Sequence, residues 1–160
     1  MQRFTNLDRA EEVAVDLSAL LADTVEILRA EIQRRAEITM RLEPLPRFCC
    51  RPQEMSAVFS NLLLNSAAAI VDRGRIDLRS EIRRGEIVIE IDDDGQGIAK
   101  DKLAHIFEPS FTVSERRVST TNWGLFNCRN IIVGLGGEIQ IESVEGKRTK
   151  VRVVLPFLTG

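Results

Sequence analysis

Two asparagines, Asn61 and Asn65, stand four residues apart in a segment that is otherwise strongly apolar. In a helix, this spacing places both amides on one face. Leucines and alanines flank the pair on both sides, so we expect it to be buried, and a buried amide needs hydrogen-bond partners. One such partner is a Mg²⁺ ion held by an amide oxygen and completed by phosphate oxygens and waters. The alternative is that both amides bond only to neighbouring backbone.

A second polar group, Asp93-Asp94-Gly95-Gln96-Gly97-Ile98, directly follows a run of alternating isoleucines. Glycines one residue apart let the backbone turn sharply and approach a ligand closely. A carboxylate at the end of a strand can accept a hydrogen bond from an exocyclic amine, and a buried carboxylate without a partner is costly. An acidic turn and a calcium loop are the alternatives. A calcium loop requires alternating oxygen ligands and a terminal Glu, which this segment lacks.

Two further segments could contact a ligand. Phe107 and Phe111 flank Pro109 and could anchor a mobile lid, or they could simply fill the core. Trp123-Gly124-Leu125 opens a predicted helix. The amino end of a helix offers free N–H groups to a phosphate, although this segment could also be a helix start and nothing more.

The hydrophobic pattern predicts the elements that must position these residues. Apolar spacing of three and four predicts three long helices, over residues 17–32 with Ser18 as N-cap, over 52–70 beginning at Pro52, and over 124–134. Alternation predicts a strand at 38–42 and two hairpins, 76–82 with 87–91 and 139–141 with 151–154. A short helix is expected at about 100–106 and a mobile loop at about 108–123. This order predicts an α/β (α+β) two-layer sandwich, with the long helices on one face of a mixed sheet.

Composition limits the classes of function. A chain of 160 residues with 44% hydrophobic and 29% charged residues suits one globular domain. A net charge of −2 gives no electrostatic case for a nucleic-acid partner. No apolar run approaches the roughly 20 residues needed to cross a bilayer, so we expect no direct membrane insertion.

The combination of motifs is more specific than any one of them. Asn-x-x-x-Asn, Asp-x-Gly-x-Gly, Phe-Glu-Pro-x-Phe and Gly-Leu follow one another within about 65 residues. This combination resembles the catalytic ATP-binding domain of sensor histidine kinases, with the Bergerat-type fold of the GHKL superfamily. The first helix and the phenylalanine box are most similar to nitrogen-regulator-type kinases. The resemblance implies that residues 1–13 are a tail, the end of an upstream dimerisation helix, and that 14–160 form the ATP-binding domain.

The resemblance also implies ligands and residue roles. ATP and Mg²⁺ are the implied ligands, with Asn65 coordinating the metal, Asn61 supporting the same site and Asp93 bonding the adenine amine. Residues 108–123 would form the ATP lid. The other implied ATP-binding residues are Gly95, Gly97, Ile98, Phe107, Phe111, Gly124, Leu125 and Thr149.

The residue at position 61 bears on the type of reaction. Hydrolysing members of the superfamily carry a general-base Glu there, and a neutral amide cannot take a proton from water at ordinary pH. The resemblance therefore implies transfer of the γ-phosphate to a histidine on a separate upstream dimerisation domain, and indirectly to a response regulator. The only histidine here, His105, is expected at the surface or at a lid hinge. The implied location is the cytoplasm, for a parent protein that could itself be anchored in a membrane.

The chain also departs from the family pattern. The glycine box Gly-x-Gly-x-Gly-Leu aligns with residues 120–125, where Thr120 and Asn122 replace two of the three glycines. Asn tolerates positive φ better than most residues, but Thr does not. An alternative function is therefore a nucleotide-binding regulatory module of the same fold, with an altered lid and weak or no kinase activity. A hydrolysing ATPase or an anti-sigma serine kinase would share the fold.

Overall fold

The computed structural model describes residues 11–108, 110–114, 117–121 and 123–157. Its helices are α1 (Leu17–Gln33), α2 (Pro52–Ala68), α3 (Lys100–Leu103) and α4 (Trp123–Gly134). Its strands are β1 (Val13–Val15), β2 (Ala36–Leu42), β3 (Phe48–Cys50), β4 (Gly74–Arg83), β5 (Glu86–Asp93), β6 (Ser110–Ser114), β7 (Arg117–Thr121), β8 (Glu138–Val144) and β9 (Arg148–Pro156).

The main sheet has five strands in the order β2-β4-β5-β9-β8. Strand β2 runs parallel to β4, and the other neighbours are antiparallel, so the sheet is mixed as predicted. Both predicted hairpins are present. The turn between β4 and β5 has positive φ at Arg84 (53°) and Gly85 (77°), the backbone of the type I′ turn that suits a two-residue hairpin.

The three long helices form the second layer. Helix α2 packs between α1 and α4, and the three helices contact β2, β5 and β8 of the sheet. Side chains from this face form one core that includes Leu21, Phe59, Leu78, Ile89 and Ile132, all fully buried. Strand β5 is the central strand of the sheet. Asp93 is its last residue and therefore lies where this strand leaves the core. The predicted two-layer architecture is confirmed.

The predicted N-cap of α1 is wrong by two residues. Asp16 has an extended backbone, and its carboxylate accepts a hydrogen bond from the N–H of Ala19 at 3.1 Å. Ser18 lies inside the helix, and its hydroxyl donates to the carbonyl of Glu43 at 2.7 Å. Asp and Ser are equally good caps, and the apolar spacing fixes the start of a helix only to within about a turn.

The predicted loop at 108–123 is also wrong in part. Strands β6 and β7 pair antiparallel within it, from Ser110 opposite Thr121 to Ser114 opposite Arg117. The segment is rich in β-branched Thr and Val, which favour extended backbone, but it lacks the apolar alternation by which strands are identified. Strands β1 and β3 were missed because each has only three residues; they pair with each other.

Most of the predicted tail, residues 1–10, lies outside the described residues. Among the residues that are described, none of the helices is both long enough and apolar enough to cross a membrane.

The cap of α1 can be tested by substitution. Asp16→Ala should lower the free energy of unfolding by about 1 kcal/mol, because the N–H of Ala19 loses its acceptor. Chemical denaturation measures this as a lower midpoint at unchanged slope. Asp23→Ala removes the same charge from an exposed position in the middle of the helix and is the control. An equal loss in both variants would contradict the cap.

Candidate functional site

A cavity of about 480 Å³ opens beside α2, between the segment that follows β5 and the strands β8 and β9. Its volume lies within the range of about 300–1,000 Å³ that is usual for small-molecule sites. Eight of the predicted site residues line it: Asn61, Asn65, Asp93, Gly97, Ile98, Gly124, Leu125 and Thr149.

Two predicted site residues stand elsewhere, and a third cannot be placed because its side chain is not among those described. Gly95 is buried behind Asp93 and does not line the cavity. Phe107 is half-buried and packs against the core, with the guanidinium carbon of Arg129 5.5 Å from its ring centre, while its neighbour Ile106 lines the cavity instead. The side chain of Phe111 lies outside the described part of the chain.

Asp93 is the only carboxylate among the described residues that line the cavity. Its side chain is buried, with a residue exposure of 2%. One carboxylate oxygen accepts the N–H of Gly95 at 2.9 Å, and the hydroxyl of Ser66 provides a second hydrogen bond. These two donors satisfy only part of the acceptor capacity of a carboxylate, which has about four lone-pair sites. The remainder is available to a ligand in the cavity.

Burial is the main influence on the ionisation of Asp93. It raises the pKa of the carboxyl to about 6, against the lowering effect of the Gly95 and Ser66 hydrogen bonds. The neighbouring charges of Asp92 and Asp94 raise it further. An incompletely paired acid with such a pKa, lying in a cleft, is a candidate functional group on physical grounds.

The glycines of this segment allow the close approach on which the site depends. A Cβ at Gly95 would come within 2.7 Å of the carbonyl oxygen of Ala69 on the helix side. Gly97 has φ +70°, and a Cβ there would collide with the backbone of Val144. The segment is therefore held between the end of α2 and the β8–β9 hairpin, and only glycine fits at both positions.

The wall opposite α2 is held by a hydroxyl cluster. Thr149, 6% exposed, pairs in register with Asp93 across β5 and β9. Its hydroxyl lies 2.9 Å from that of Ser143 on β8. Ser143 also accepts the N–H of Ile98 at 2.8 Å. This cluster ties the glycine-containing segment to the last hairpin.

The two asparagines share one face of α2, as predicted, but they are not buried. Asn61 is half-buried and Asn65 is exposed, because this face looks into the cavity while Leu62 and Leu63 turn towards the core. The amide nitrogen of Asn61 donates to the carbonyl of Ala57 at 3.1 Å. Of the two alternatives stated for the pair, backbone bonding therefore holds for Asn61. The Asn65 amide has no hydrogen-bond partner among the described residues, so it is available to a ligand.

The cavity lining could bind Mg²⁺ only if phosphate oxygens of a ligand supplied further coordination. The described residues contain no group of three or more His, Cys, Asp or Glu that could hold a metal ion. Mg²⁺ does not need such a group, since it commonly takes one or two protein oxygens and completes its octahedron with phosphate oxygens and waters. The amide oxygen of Asn65 could be such a ligand.

His105, the only histidine, is exposed and pairs with Glu108 at 2.9 Å, in keeping with the surface position expected for it.

Sequence reasoning missed two hydroxyls, Ser66 and Ser143. Ser66 could have been noticed as a polar residue directly after Asn65 on an otherwise apolar helix face. Ser143 follows from the register of the last hairpin, which places it opposite Thr149.

Comparisons with known proteins identify similar sequences and structures. The sequence profile of the "Histidine kinase-, DNA gyrase B-, and HSP90-like ATPase" family matches residues 50–159. Sensor histidine kinase ZraS of Escherichia coli O157:H7 is 34% identical over 146 residues, which are 89% of this chain and 31% of that protein. Sensory histidine kinase/phosphatase NtrB of Rhizobium meliloti is 29% identical and matches all of this chain with 45% of its own length. The chain thus spans less than half of these relatives.

Solved structures share the fold. The catalytic domain of histidine kinase ThkA superposes with a TM-score of 0.79 at 23% identity, covering 91% of this chain and 97% of that one. Full-length ShkA in complex with AMPPNP superposes with a TM-score of 0.77 at 22% identity, covering 93% of this chain and 32% of that one. The resemblance to the ATP-binding domains of sensor histidine kinases, including a nitrogen-regulator-type protein, is confirmed.

The contact between α4 and α2 generates a prediction. A Cβ at Gly124 would lie 2.7 Å from the amide oxygen of Asn61, so Gly124→Ala should force that amide to rotate. We expect nucleotide affinity, measured by calorimetry, to fall about tenfold while the melting temperature changes little, since one side chain can move. Gly134→Ala is the matched control, because it lies at the end of the same helix with no atom within 4 Å of a Cβ. Equal affinities for the two variants would contradict the coupling.

Proposed function

The chain belongs to the histidine kinase-, DNA gyrase B- and HSP90-like ATPase family, and on this basis we propose that it binds ATP with Mg²⁺ and donates the γ-phosphate to a histidine on a separate domain. One observation carries the proposal: Asp93 and Asn65 line the same cavity. A carboxylate that can accept from an adenine amine and an amide oxygen that can bind Mg²⁺ are thus directed into one space.

Different lining residues of the cavity suit different parts of ATP. The unsatisfied lone pairs of Asp93 would accept the adenine amino group, and Ile98 and Val151 would cover the base. Asn65 would hold the Mg²⁺ that accompanies the phosphates. Gly124 and Leu125, which also line the cavity, stand at the beginning of α4, and the N–H groups of a helix amino end attract phosphate.

The residue at position 61, four residues before the proposed Mg²⁺ ligand Asn65, favours phosphate transfer over hydrolysis. Position 61 holds a neutral amide whose nitrogen is already bonded to the Ala57 carbonyl, so it cannot act as a general base towards water. Asp93, the one carboxylate among the described lining residues, would be engaged by the base. Phosphoryl transfer, in contrast, requires mainly positioning and neutralisation of charge, which Mg²⁺ supplies when it is bound.

The acceptor histidine would lie outside residues 14–160. His105 is exposed and paired with Glu108 outside the cavity lining. The relatives named as sensor histidine kinases are more than twice as long as this chain. The proposed partner is therefore an upstream dimerisation and acceptor domain, for which residues 1–13 would be the connecting helix end, and indirectly a response regulator.

A second candidate rests on the altered glycine box. Thr120 and Asn122 stand where the family has glycines. If these residues prevent the lid from closing over the phosphates, the chain would be a regulatory module that binds ATP without transferring phosphate.

Asn65 provides the test of ATP and Mg²⁺ binding. Calorimetric titration of the whole chain with ATP should show binding that strengthens when Mg²⁺ is present. In Asn65→Ala this enhancement should largely disappear, because the ion loses the amide oxygen proposed to bind it. Leu64→Ala, on the same helix but outside the cavity lining, should retain the enhancement. No binding of ATP by the unmodified chain would refute the proposed function.

Phosphate transfer separates the two candidates. Labelled ATP, the chain and a separately produced dimerisation and acceptor fragment should yield labelled histidine phosphate if the chain is a kinase. Binding without label on the fragment would favour the regulatory module, and steady phosphate release without the fragment would favour an ATPase.

The ionisation of Asp93 predicts a pH dependence. Burial raises its pKa to about 6, and only the ionised form offers a full acceptor to the adenine amine. ATP should therefore bind fully well above pH 6, with the Kd rising roughly tenfold per unit at lower pH if the protonated form does not bind. Because binding favours the carboxylate, it should lower this pKa and release protons near pH 6.

The control for the pH dependence is Asp93→Asn, which does not titrate. Phosphate groups also titrate near pH 6, so some pH dependence should remain in the variant. The difference between the slopes of the two proteins isolates Asp93. Identical slopes would show that its ionisation does not govern binding.

A further inference from the structure

We propose that Ser143, which does not line the cavity, is a positioning residue that makes the site select purines with a 6-amino group. It would do so by fixing the direction in which Thr149 points its hydroxyl proton. This inference rests on the proposed function, since it concerns how the base of ATP is distinguished from other purines.

The Ser143 hydroxyl has three polar neighbours. These are the carbonyl oxygen of Arg148 at 2.9 Å, the N–H of Ile98 at 2.8 Å and the hydroxyl oxygen of Thr149 at 2.9 Å. A serine hydroxyl has one proton to donate and two lone pairs that accept. The carbonyl can only accept and the N–H can only donate. The Ser143 proton is thus given to Arg148, and one lone pair receives Ile98.

These two bonds determine which hydroxyl is the donor between Ser143 and Thr149. Ser143 has only a lone pair left for Thr149, so Thr149 must be the donor in the bond between the two hydroxyls. Its single proton then points away from the cavity, towards β8. Thr149 itself lines the cavity and can offer only its own lone pairs to whatever lies there.

The polar group next to Thr149 in the cavity lining is also an acceptor. Asp93 pairs in register with Thr149, and its carboxylate already receives the Gly95 N–H and the Ser66 hydroxyl. Two acceptors on adjacent strands therefore face the cavity. A ligand group that meets both must donate to both.

This pattern distinguishes among purines. A 6-amino group carries two N–H donors, whereas a 6-oxo group carries only lone pairs and would leave buried acceptors facing another acceptor. Sites built to bond an N–H group reject analogues that lack it. If the Thr149 proton were free, this hydroxyl could rotate and donate to a 6-oxo group. Ser143 removes that freedom without touching the ligand.

The test compares three nucleotides by calorimetry, on the unmodified chain and on Ser143→Ala. ATP has a 6-amino group, inosine triphosphate has a 6-oxo group, and purine riboside triphosphate has only hydrogen at position 6. In Ser143→Ala the ratio of the inosine triphosphate Kd to the ATP Kd should fall about three- to tenfold, the worth of one ordinary hydrogen bond. The ratio for purine riboside triphosphate should not change, because it has no 6-oxo group to accept from Thr149.

The ratio of two Kd values measured on the same variant is unaffected by any structural change that weakens both nucleotides equally. Loss of the partner of Ile98 should weaken all three nucleotides alike. Ser143→Thr retains a hydroxyl and should retain the original ratios. In a Thr149→Val background, Ser143→Ala should cause no further change in ratio, because it would act through Thr149. If Ser143→Ala does not fold, Ser143→Cys, whose thiol is a weak donor and acceptor, provides the same comparison.

The outcomes separate this inference from the proposed function. Equal weakening of all three nucleotides would make Ser143 merely structural and overturn the inference, while ATP binding by the unmodified chain would leave the proposed function standing. A water between Thr149 and the base could donate or accept and so keep the ratio of the inosine triphosphate Kd to the ATP Kd unchanged in Ser143→Ala. This result would also overturn the inference and leave the proposed function standing. Failure of the unmodified chain to bind ATP would overturn both.

Discussion

The burial of one carboxylate is the constraint on which the site depends. Asp93 ends the central strand β5 and is almost fully buried, and burial of a charge is costly unless donors surround it. The fold supplies two donors, the Gly95 N–H and the Ser66 hydroxyl. They do not offset burial completely, so the pKa stays raised. A ligand that donates to the remaining lone pairs would complete the pairing, which links the energetics of the fold directly to recognition.

Two parts of the cavity lining are held by different kinds of contact. The segment after β5 is bonded to both of its neighbours: the N–H of Gln96 donates to the carbonyl of Ala69 at 2.9 Å, and the carbonyl of Gln96 accepts from the N–H of Gly146 at 2.6 Å. Asn61 and Gly124 belong instead to the contact between α2 and α4, which also includes the thiol of Cys128, 3.8 Å from the carbonyl of Val58. In the proposed ATP complex the base would therefore be held by the sheet and its hairpins, whereas the phosphates would lie beside a helix that directly follows the predicted lid.

Sequence reasoning succeeded where one local rule determined the outcome. Pro52 begins α2, the Arg84-Gly85 turn joins β4 to β5, and spacing of four places Asn61 and Asn65 on one helix face. It failed where two local choices were equal, as between Asp16 and Ser18 for the cap of α1. It also failed where exposure depends on packing, because apolar neighbours suggested that the asparagines were buried when their face actually borders a cavity.

The sequence by itself therefore determined the order of helices and strands, the family resemblance and eight of the sixteen residues that line the cavity, because these follow from spacing along the chain. Only the tertiary structure decided which polar groups from separate elements come into contact in and behind the cavity wall. The pairing of Ser66 with Asp93, and the contacts of Ser143 with Thr149 and Ile98, join residues from separate elements. The physical reason is that a hydrogen bond depends on distance and direction in space, which the register of the strands and the packing of α2 on the sheet establish.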